Sequence, residues 1–202
     1  MSTMNKLVVL FLFGIIYVSS CAGQNSTREN ELIITGFNWR LKVPDFLIAE
    51  NKDEWKKVQE SGKKDIEETY DIEMKNQVNT IFIFKTQDES FFEATSEKIK
   101  PEMVSDYIAT CKKMNDIFYN TVVAQVPDAQ LDTFQTVQTI DNIPFQTLTA
   151  KMSFPNGLIK NIVMFRGLFK DTELTVSVMF SNDYTGKKII EAFKKSDFHF
   201  KK

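Results

Sequence analysis

Few side chains of this chain are suited to chemistry, and they lie far apart in the sequence. Its 202 residues include one histidine, His199, and two cysteines, Cys21 and Cys111. A nucleophilic site of the Ser-His-Asp or Cys-His type would have to use that histidine. It lies between two phenylalanines in the C-terminal stretch SDFHFKK, where alternation predicts that it points to solvent. We therefore predict no catalytic residue.

A run of carboxylates is the second place where chemistry is conceivable. The stretch KKDIEETYDIEMK puts Glu68 and Asp71 three residues apart, so that they meet on one face of a helix. Such a pair can bind a divalent cation or act as an acid and a base. The lysines in the same stretch favour a solvated helix face instead. No EF-hand, GxSxG, P-loop, GxGxxG, HExxH or CxxC motif is present, so the sequence predicts no metal ligand and no cofactor.

The first cysteine follows a short apolar run. After Lys6, the residues from Leu7 to Val18 are uncharged and apolar, which suits a signal sequence and is too short to span a bilayer. The next residues, in VSSC, resemble the lipobox of bacterial lipoproteins. We predict a signal peptide over residues 1–20, beginning at Met1 or Met4, cleavage between Ser20 and Cys21, and a diacylglycerol thioether on Cys21.

Lipid on Cys21 would make the membrane a partner of the chain. Each buried CH₂ contributes about 0.8 kcal/mol, so two or three acyl chains hold a protein stably. Residues 21–34 are predicted to form a lipidated, flexible tether. By resemblance, Ala22 lacks the aspartate linked to inner-membrane retention, which favours the outer membrane facing the periplasm. The alternatives are a cleaved signal with an incidental cysteine, or an uncleaved anchor.

The charge balance excludes some classes of partner. Twenty-five basic residues against 27 acidic ones give a net charge of −2, and arginine occurs only at 28, 40 and 166. Without a basic excess, nucleic-acid binding and a charge-driven membrane patch are not expected. Hydrophobic residues make up 43% of the chain, enough for one globular domain, which we place at residues 35–202.

The second cysteine is predicted to lie in a core. If Cys21 is lipidated, Cys111 has no partner for a disulfide. Around it, apolar residues recur every three or four positions, as on the buried stripe of an amphipathic helix. That stripe is Val104, Tyr107, Ile108, Cys111, Met114, Phe118 and Val122. A thiol buried in apolar surroundings has a raised pKa and is inert.

The remaining patterns predict an α+β fold. A half-buried strand over 37–43 precedes a helix within 52–75, in which Gly62 weakens the middle. The apolar run 80–86 suggests a central strand. After the helix with Cys111 come four strands, one hairpin being marked by Asn156-Gly157, and a final helix over 184–196. We predict an antiparallel β-sheet sandwiched by helices.

Aromatic residues exceed what one sheet face can bury. The surplus includes Trp39, Trp55, Phe82, Phe84, Phe91, Phe92, Phe165 and Phe169. Helices on both sides of the sheet would cover them, and this is the favoured interpretation. The alternative is that some of them line a groove for a lipid, a peptide or a partner protein.

The order of the predicted strands and helices resembles the PsbP-like fold. That group includes the extrinsic P protein of the photosystem oxygen-evolving complex and bacterial lipoproteins of the DcrB type. The resemblance covers roughly residues 36–200 and rests on WRLKVPDFLIAE, FFEATSEKI, TIDNIPFQTLTAKMSFPNG, SVMFSND and GKKIIEAFKKSDF. The chain departs from the group at Asn142, which stands where a turn glycine is common and tolerates left-handed geometry.

The resemblance implies a non-catalytic accessory, assembly or binding protein, because most members of these families are of that kind. We therefore expect a lipid-anchored envelope protein with a protein partner and no enzymatic activity. A carrier of a small apolar ligand in an aromatic-lined pocket is the alternative. An envelope hydrolase using Glu68, Asp71 or His199 is a further one. No ligand-binding residue is assigned by motif.

Overall fold

The computed structural model describes residues 30–70 and 78–199, except for the side chains of residues 62–66 and 68–70. The predicted cleavage site at Ser20 and Cys21 lies outside these residues, as does the predicted signal peptide over residues 1–20. In the described part, the strands are β1 (Glu31–Ile34), β2 (Trp39–Lys42), β3 (Ile48–Ala49), β4 (Asn79–Lys85), β5 (Phe91–Lys98), β6 (Gln130–Ile140), β7 (Ile143–Ser153), β8 (Ile159–Phe169) and β9 (Thr172–Phe180). The helices are α1 (Lys52–Tyr70), α2 (Pro101–Ser105), α3 (Tyr107–Gln125) and α4 (Asp183–Lys194).

Seven strands form one antiparallel sheet in the order β3-β4-β5-β9-β8-β7-β6. Tight turns join the last four strands. Asp141 and Asn142 connect β6 to β7 with φ values of 48° and 63°, the left-handed geometry of a two-residue hairpin. Asn142 thus adopts the conformation expected where the common glycine is absent. In the β7–β8 hairpin, Gly157 has a φ of 83° and closes a turn onto Phe154.

Helices cover both faces of the sheet, as the sequence predicts. On one face, α4 and the small β1–β2 sheet enclose the main core, where Trp39 contacts the rings of Phe82 and Phe193. On the other face lie α1 and α3, with Val122 of α3 packed against Ala150, Met152 and Ile162. The α+β sandwich is confirmed.

The strand predicted over 80–86 is β4 (Asn79–Lys85), which is covered on both faces but is not central. Phe82 and Ile83, which point to opposite faces, are 4% and 2% exposed. Only the two-residue β3 lies outside this strand, so β4 is second from the edge, and β9 occupies the middle position. The apolar run reflects burial by helices on both sides, which a near-edge strand shares with a central one.

Three other boundaries differ from the sequence prediction. Glu31–Ile34, predicted to belong to the tether 21–34, pairs with β2 as a strand, while Phe37 lies in a short 3₁₀ turn. Helix α1 continues through Gly62, the residue expected to weaken its middle. The predicted Cys111 helix is two helices, because Asp106 leaves helical geometry and its side chain caps α3 by accepting from the Ala109 N–H.

No helix in the described ranges is both long and apolar enough to cross a membrane.

Candidate functional site

Cys111 is buried as predicted, but its surroundings are polar. Helix α3 turns Cys111, Asn115 and Val122 toward the sheet. Ile108 and Met114, predicted to share that buried stripe, are 67% and 44% exposed. Burial raises the pKa of the Cys111 thiol, so it is held as the unreactive neutral form.

An arginine on the sheet explains the burial of Asn115. The Arg166 Nη1 donates a hydrogen bond to Asn115 Oδ1 at 2.6 Å, and both side chains are buried. The Nε of Arg166 lies 4.0 Å from Oε1 of Glu173 on β9. That oxygen also accepts a hydrogen bond from the Thr175 hydroxyl at 3.1 Å. The cation is therefore shared between an amide on α3 and a carboxylate on the sheet.

A second carboxylate faces the first. Glu97 of β5 pairs directly across from Glu173, and burial together with the Glu173 charge raises the Glu97 pKa. Tyr107 brings a buried hydroxyl close to Glu173 and Cys111 without a hydrogen bond of normal geometry. Burial and the nearby carboxylate raise the Tyr107 pKa as well. These groups form a buried polar cluster beneath the first turns of α3.

A cleft of about 220 Å³ opens beside this cluster, between α3 and the strands β6 and β7. Amides, hydroxyls and the thiol lie along it, and two exposed apolar residues, Ile108 and Val137, stand at its rim. The lining residues are Ile108, Cys111, Lys112, Asn115, Gln135, Thr136, Val137, Gln146 and Thr147. Such a surface suits polypeptide, which offers amide donors and acceptors together with apolar side chains.

A separate, largely buried carboxyl lies under α1. Glu93 Oε1 accepts hydrogen bonds from Trp55 Nε1 at 2.7 Å and from Gln59 Nε2 at 2.8 Å. Burial raises its pKa to about 7. Both donors are neutral, so they do not supply the positive charge that would keep this group ionised. This carboxyl is a structural pH-sensitive group on the same sheet face as α3.

The predicted chemical residues do not converge. His199 is exposed, as predicted, and its Nδ1 lies 2.9 Å from Oδ2 of Asp141, which also accepts the Phe198 N–H. These contacts lower the Asp141 pKa, with the hydrogen bond from His199 the largest cause. Asp71 and the side chain of Glu68 lie outside the described residues. Within the described residues, no group of three His, Cys, Asp or Glu side chains could hold a metal ion.

Comparison with known proteins gives a match in structure only. No family model and no curated protein sequence matches this chain. The solution structure of the cyanobacterial PsbP protein (CyanoP) from Synechocystis sp. PCC 6803 superposes with a TM-score of 0.56 at 12% identity, covering 89% of this chain and 98% of that one. The fold is PsbP-like. At this identity the likeness concerns the fold alone.

The aromatic surplus is used inside the PsbP-like domain. Trp39, Phe82, Phe92 and Phe165 are buried in the core, and Trp55 stacks on Phe91 with ring centroids 5.5 Å apart. None of the eight aromatic residues lines the α3 cleft. A second cleft, of about 290 Å³ between β2 and α4, is lined mainly by charged side chains, including the Arg40–Asp197 pair at 2.9 Å.

Exposed apolar residues gather instead on one side of the PsbP-like domain. Of the fourteen large apolar side chains that are exposed in the described part, seven lie on α3 and β6. Along α3, the cleft residues Ile108, Lys112 and Asn115 continue at helical spacing to Tyr119 and Val123. Sequence reasoning missed this surface because it assigned Ile108 to the core. The signal that could have revealed it is Asn115, a polar residue four positions after Cys111.

Proposed function

We propose that this chain is a lipid-anchored accessory protein of the bacterial envelope, whose PsbP-like domain binds a protein partner and catalyses no reaction. The anchor proposal rests on the VSSC sequence that follows an apolar run. The same proposal includes two further points. The chain resembles lipoproteins of the DcrB type, and it is placed on the periplasmic face of the outer membrane.

The observation that carries the binding proposal is the apolar side of the domain. We call it the docking face and define it by Ile108, Tyr119, Val123 and Val137. Their exposed fractions run from 42% to 67%. Contiguous exposed apolar residues beside a polar cleft are typical of protein-binding surfaces, because burying them in a complex removes apolar area from water.

The geometry gives less support to catalysis. His199 hydrogen-bonds Asp141 at the β6–β7 turn, whereas Cys111 lies under α3 with a raised pKa. A nucleophile and its base must lie within hydrogen-bond reach of one another, and no such contact joins these two side chains in the described structure. The carrier alternative needs an aromatic-lined pocket, and neither described cleft supplies one.

The anchor is tested by changing Cys21 to Ala in the full-length chain and following metabolic labelling with palmitate. We expect loss of the label and of the membrane-bound fraction. Cys111→Ser is the matched control and should keep both. Label retained by Cys21→Ala would reject the lipobox.

The docking face is tested by placing a photo-crosslinking amino acid at Val137 in cells. Tyr184, which is 73% exposed on α4, is the matched control position. We expect a discrete crosslinked protein species from position 137 and none from position 184. Equal, diffuse crosslinking at both positions would show that the face has no specific partner.

A further inference from the structure

The two edges of the large sheet are built differently. At one edge, β3 has two residues; at the other, β6 has eleven, and all eleven pair with β7. No strand in the described residues pairs with the outer side of β6. A free edge of this length presents a row of unpaired backbone N–H and C=O groups, which an added strand can satisfy.

Strand β6 also lacks the features that usually block edge pairing. Its sequence, QLDTFQTVQTI, has no lysine, no proline and one charged residue, Asp132. Its register with β7 runs without a shift, whereas β4 and β5 shift between Thr80 and Phe82. Phe134, one residue before the middle of the strand, is 68% exposed. An edge that is long, regular and nearly uncharged favours pairing with another strand.

We propose that a second copy of this chain occupies that edge, with β6 of each copy paired antiparallel about a two-fold axis at Gln135. This inference rests on the proposed docking face and names its partner. Gln135 is the middle residue of β6, so this register pairs the strand over its whole length. The result is one continuous sheet with both α3 helices on the same face, next to the axis.

The charge pattern of β6 fits a copy of itself. In this register Asp132 faces Gln138 of the other copy, so that the one charged residue does not meet its own equivalent. Phe134 faces Thr136 and lies diagonal to the other Phe134, while Val137 faces Thr133. On the exposed flank of α3, Lys112 and Asp116 form an ion pair at 3.1 Å. The flank is therefore balanced in charge and does not repel a second α3.

The area buried between the two copies determines whether the dimer is stable in solution or only on a membrane. Eleven strand residues span roughly 36 Å, and a helix layer adds roughly 10 Å of depth. A contact of these dimensions buries on the order of 400 Å² per copy, which is less than the roughly 800 Å² of a stable standard interface. The pairing should be weak in dilute solution. Two copies anchored in one bilayer meet at a much higher effective concentration, which favours the dimer there.

The experiment uses the full-length chain in its own membranes with Gln135 changed to Cys. Residues that face each other across an antiparallel pair have Cα atoms about 4.5–5.5 Å apart, within the range of about 4.4–6.8 Å that a disulfide needs. We expect mild oxidation to shift Gln135→Cys from the monomer mass to the dimer mass, reversibly on reduction. Gln135 is exposed, so the substitution leaves the core unchanged.

Gln138→Cys is the matched control, because in the proposed register the two copies of residue 138 lie roughly 20 Å apart. It should show no dimer above that of the oxidised wild-type chain, which sets the baseline. Dimer formed equally by both variants, or by neither, overturns the inference. If neither dimerises while the crosslinker at 137 still captures a different protein, the docking face stands and only the second copy is rejected. If position 137 captures nothing either, both proposals fail.

Discussion

The guanidinium of Arg166 donates to the side-chain oxygen of Asn115 at 2.6 Å and so joins strand β8 to helix α3. Farther along the same layer, the contact between α3 and the sheet is made by apolar side chains around Val122. Near its start it is made by a polar cluster that includes Glu173 and Tyr107. The helix is therefore held by two contacts of different chemistry, and the polar one lies beside the cleft.

Removing the amide should destabilise the domain. In Asn115→Ala, a buried guanidinium loses its hydrogen bond to the amide oxygen, at a cost of about 1.5–3 kcal/mol in the free energy of unfolding. Urea denaturation measures the change. Asn120→Ala, at an exposed position of the same helix, carries the same gain in helix propensity and is the control. Equal midpoints for the two variants would show that the Arg166 contact contributes nothing measurable.

Glu93 should make stability depend on pH. Its pKa is about 7 in the folded chain against a usual 4.5, so the folded state keeps a proton that the unfolded state releases. The free energy of unfolding therefore falls as the pH rises from 4.5 to 7. The loss is at most on the order of 3 kcal/mol, and smaller because the side chain keeps some contact with solvent.

Glu93→Gln keeps an oxygen that accepts from Trp55 and Gln59 but carries no charge. We expect the variant to match the wild type near pH 4.5 and to exceed its stability at pH 8. Denaturant titrations at the two pH values measure this, with Glu54→Gln, at an exposed position on α1, as the control. Parallel pH profiles for the wild type and Glu93→Gln would contradict the raised pKa.

Gly186 shows where close packing outweighs helix propensity. Alanine in place of a helical glycine usually stabilises by about 1 kcal/mol. Here the added Cβ would lie 2.3 Å from Cγ and Cδ2 of Phe180, a ring that is 7% exposed. We expect Gly186→Ala to lower the melting temperature, because overpacking a core costs about 1–3 kcal/mol and more where backbone must move. Gly36→Ala, which meets no atom within 4 Å, should be nearly neutral. A Gly186→Ala melting temperature equal to or above the wild type would disprove the close approach.

Much of the fold follows from local patterns. The hairpins around Asn142 and Gly157 are marked by residues that tolerate left-handed backbone, and the final helix shows its apolar face at Ile189 and Phe193. The position of a strand in the sheet is different, because burial on both faces does not distinguish β4 from β9. That order depends on pairing between distant segments, which the run of apolar residues does not encode.

The candidate site was less predictable for a related reason. The cluster draws Asn115, Arg166 and Glu173 from three separate elements, and each looks like an ordinary surface residue in its own segment. Apolar periodicity predicts a buried stripe of α3 that includes Ile108. In the structure, α3 instead buries Asn115, which pairs with Arg166, and leaves Ile108 exposed. The residues of a buried ion pair or amide contact have no regular spacing along the chain. Such a cluster can therefore be identified only once the fold is known.

The strand order has a consequence for how the chain folds. Strands β6 to β9 pair with their sequence neighbours through short turns, whereas β5 joins β9 by pairing Lys98 with Thr172, across two helices and three strands. Closing so long a loop is entropically costly and slow. We expect the β6–β9 meander to gain hydrogen-exchange protection first and the segment from β3 to β5 to dock later, which pulse labelling would show. The folding chain would then expose β4 and β5 the longest, so these two strands are where folding is most vulnerable to misassembly.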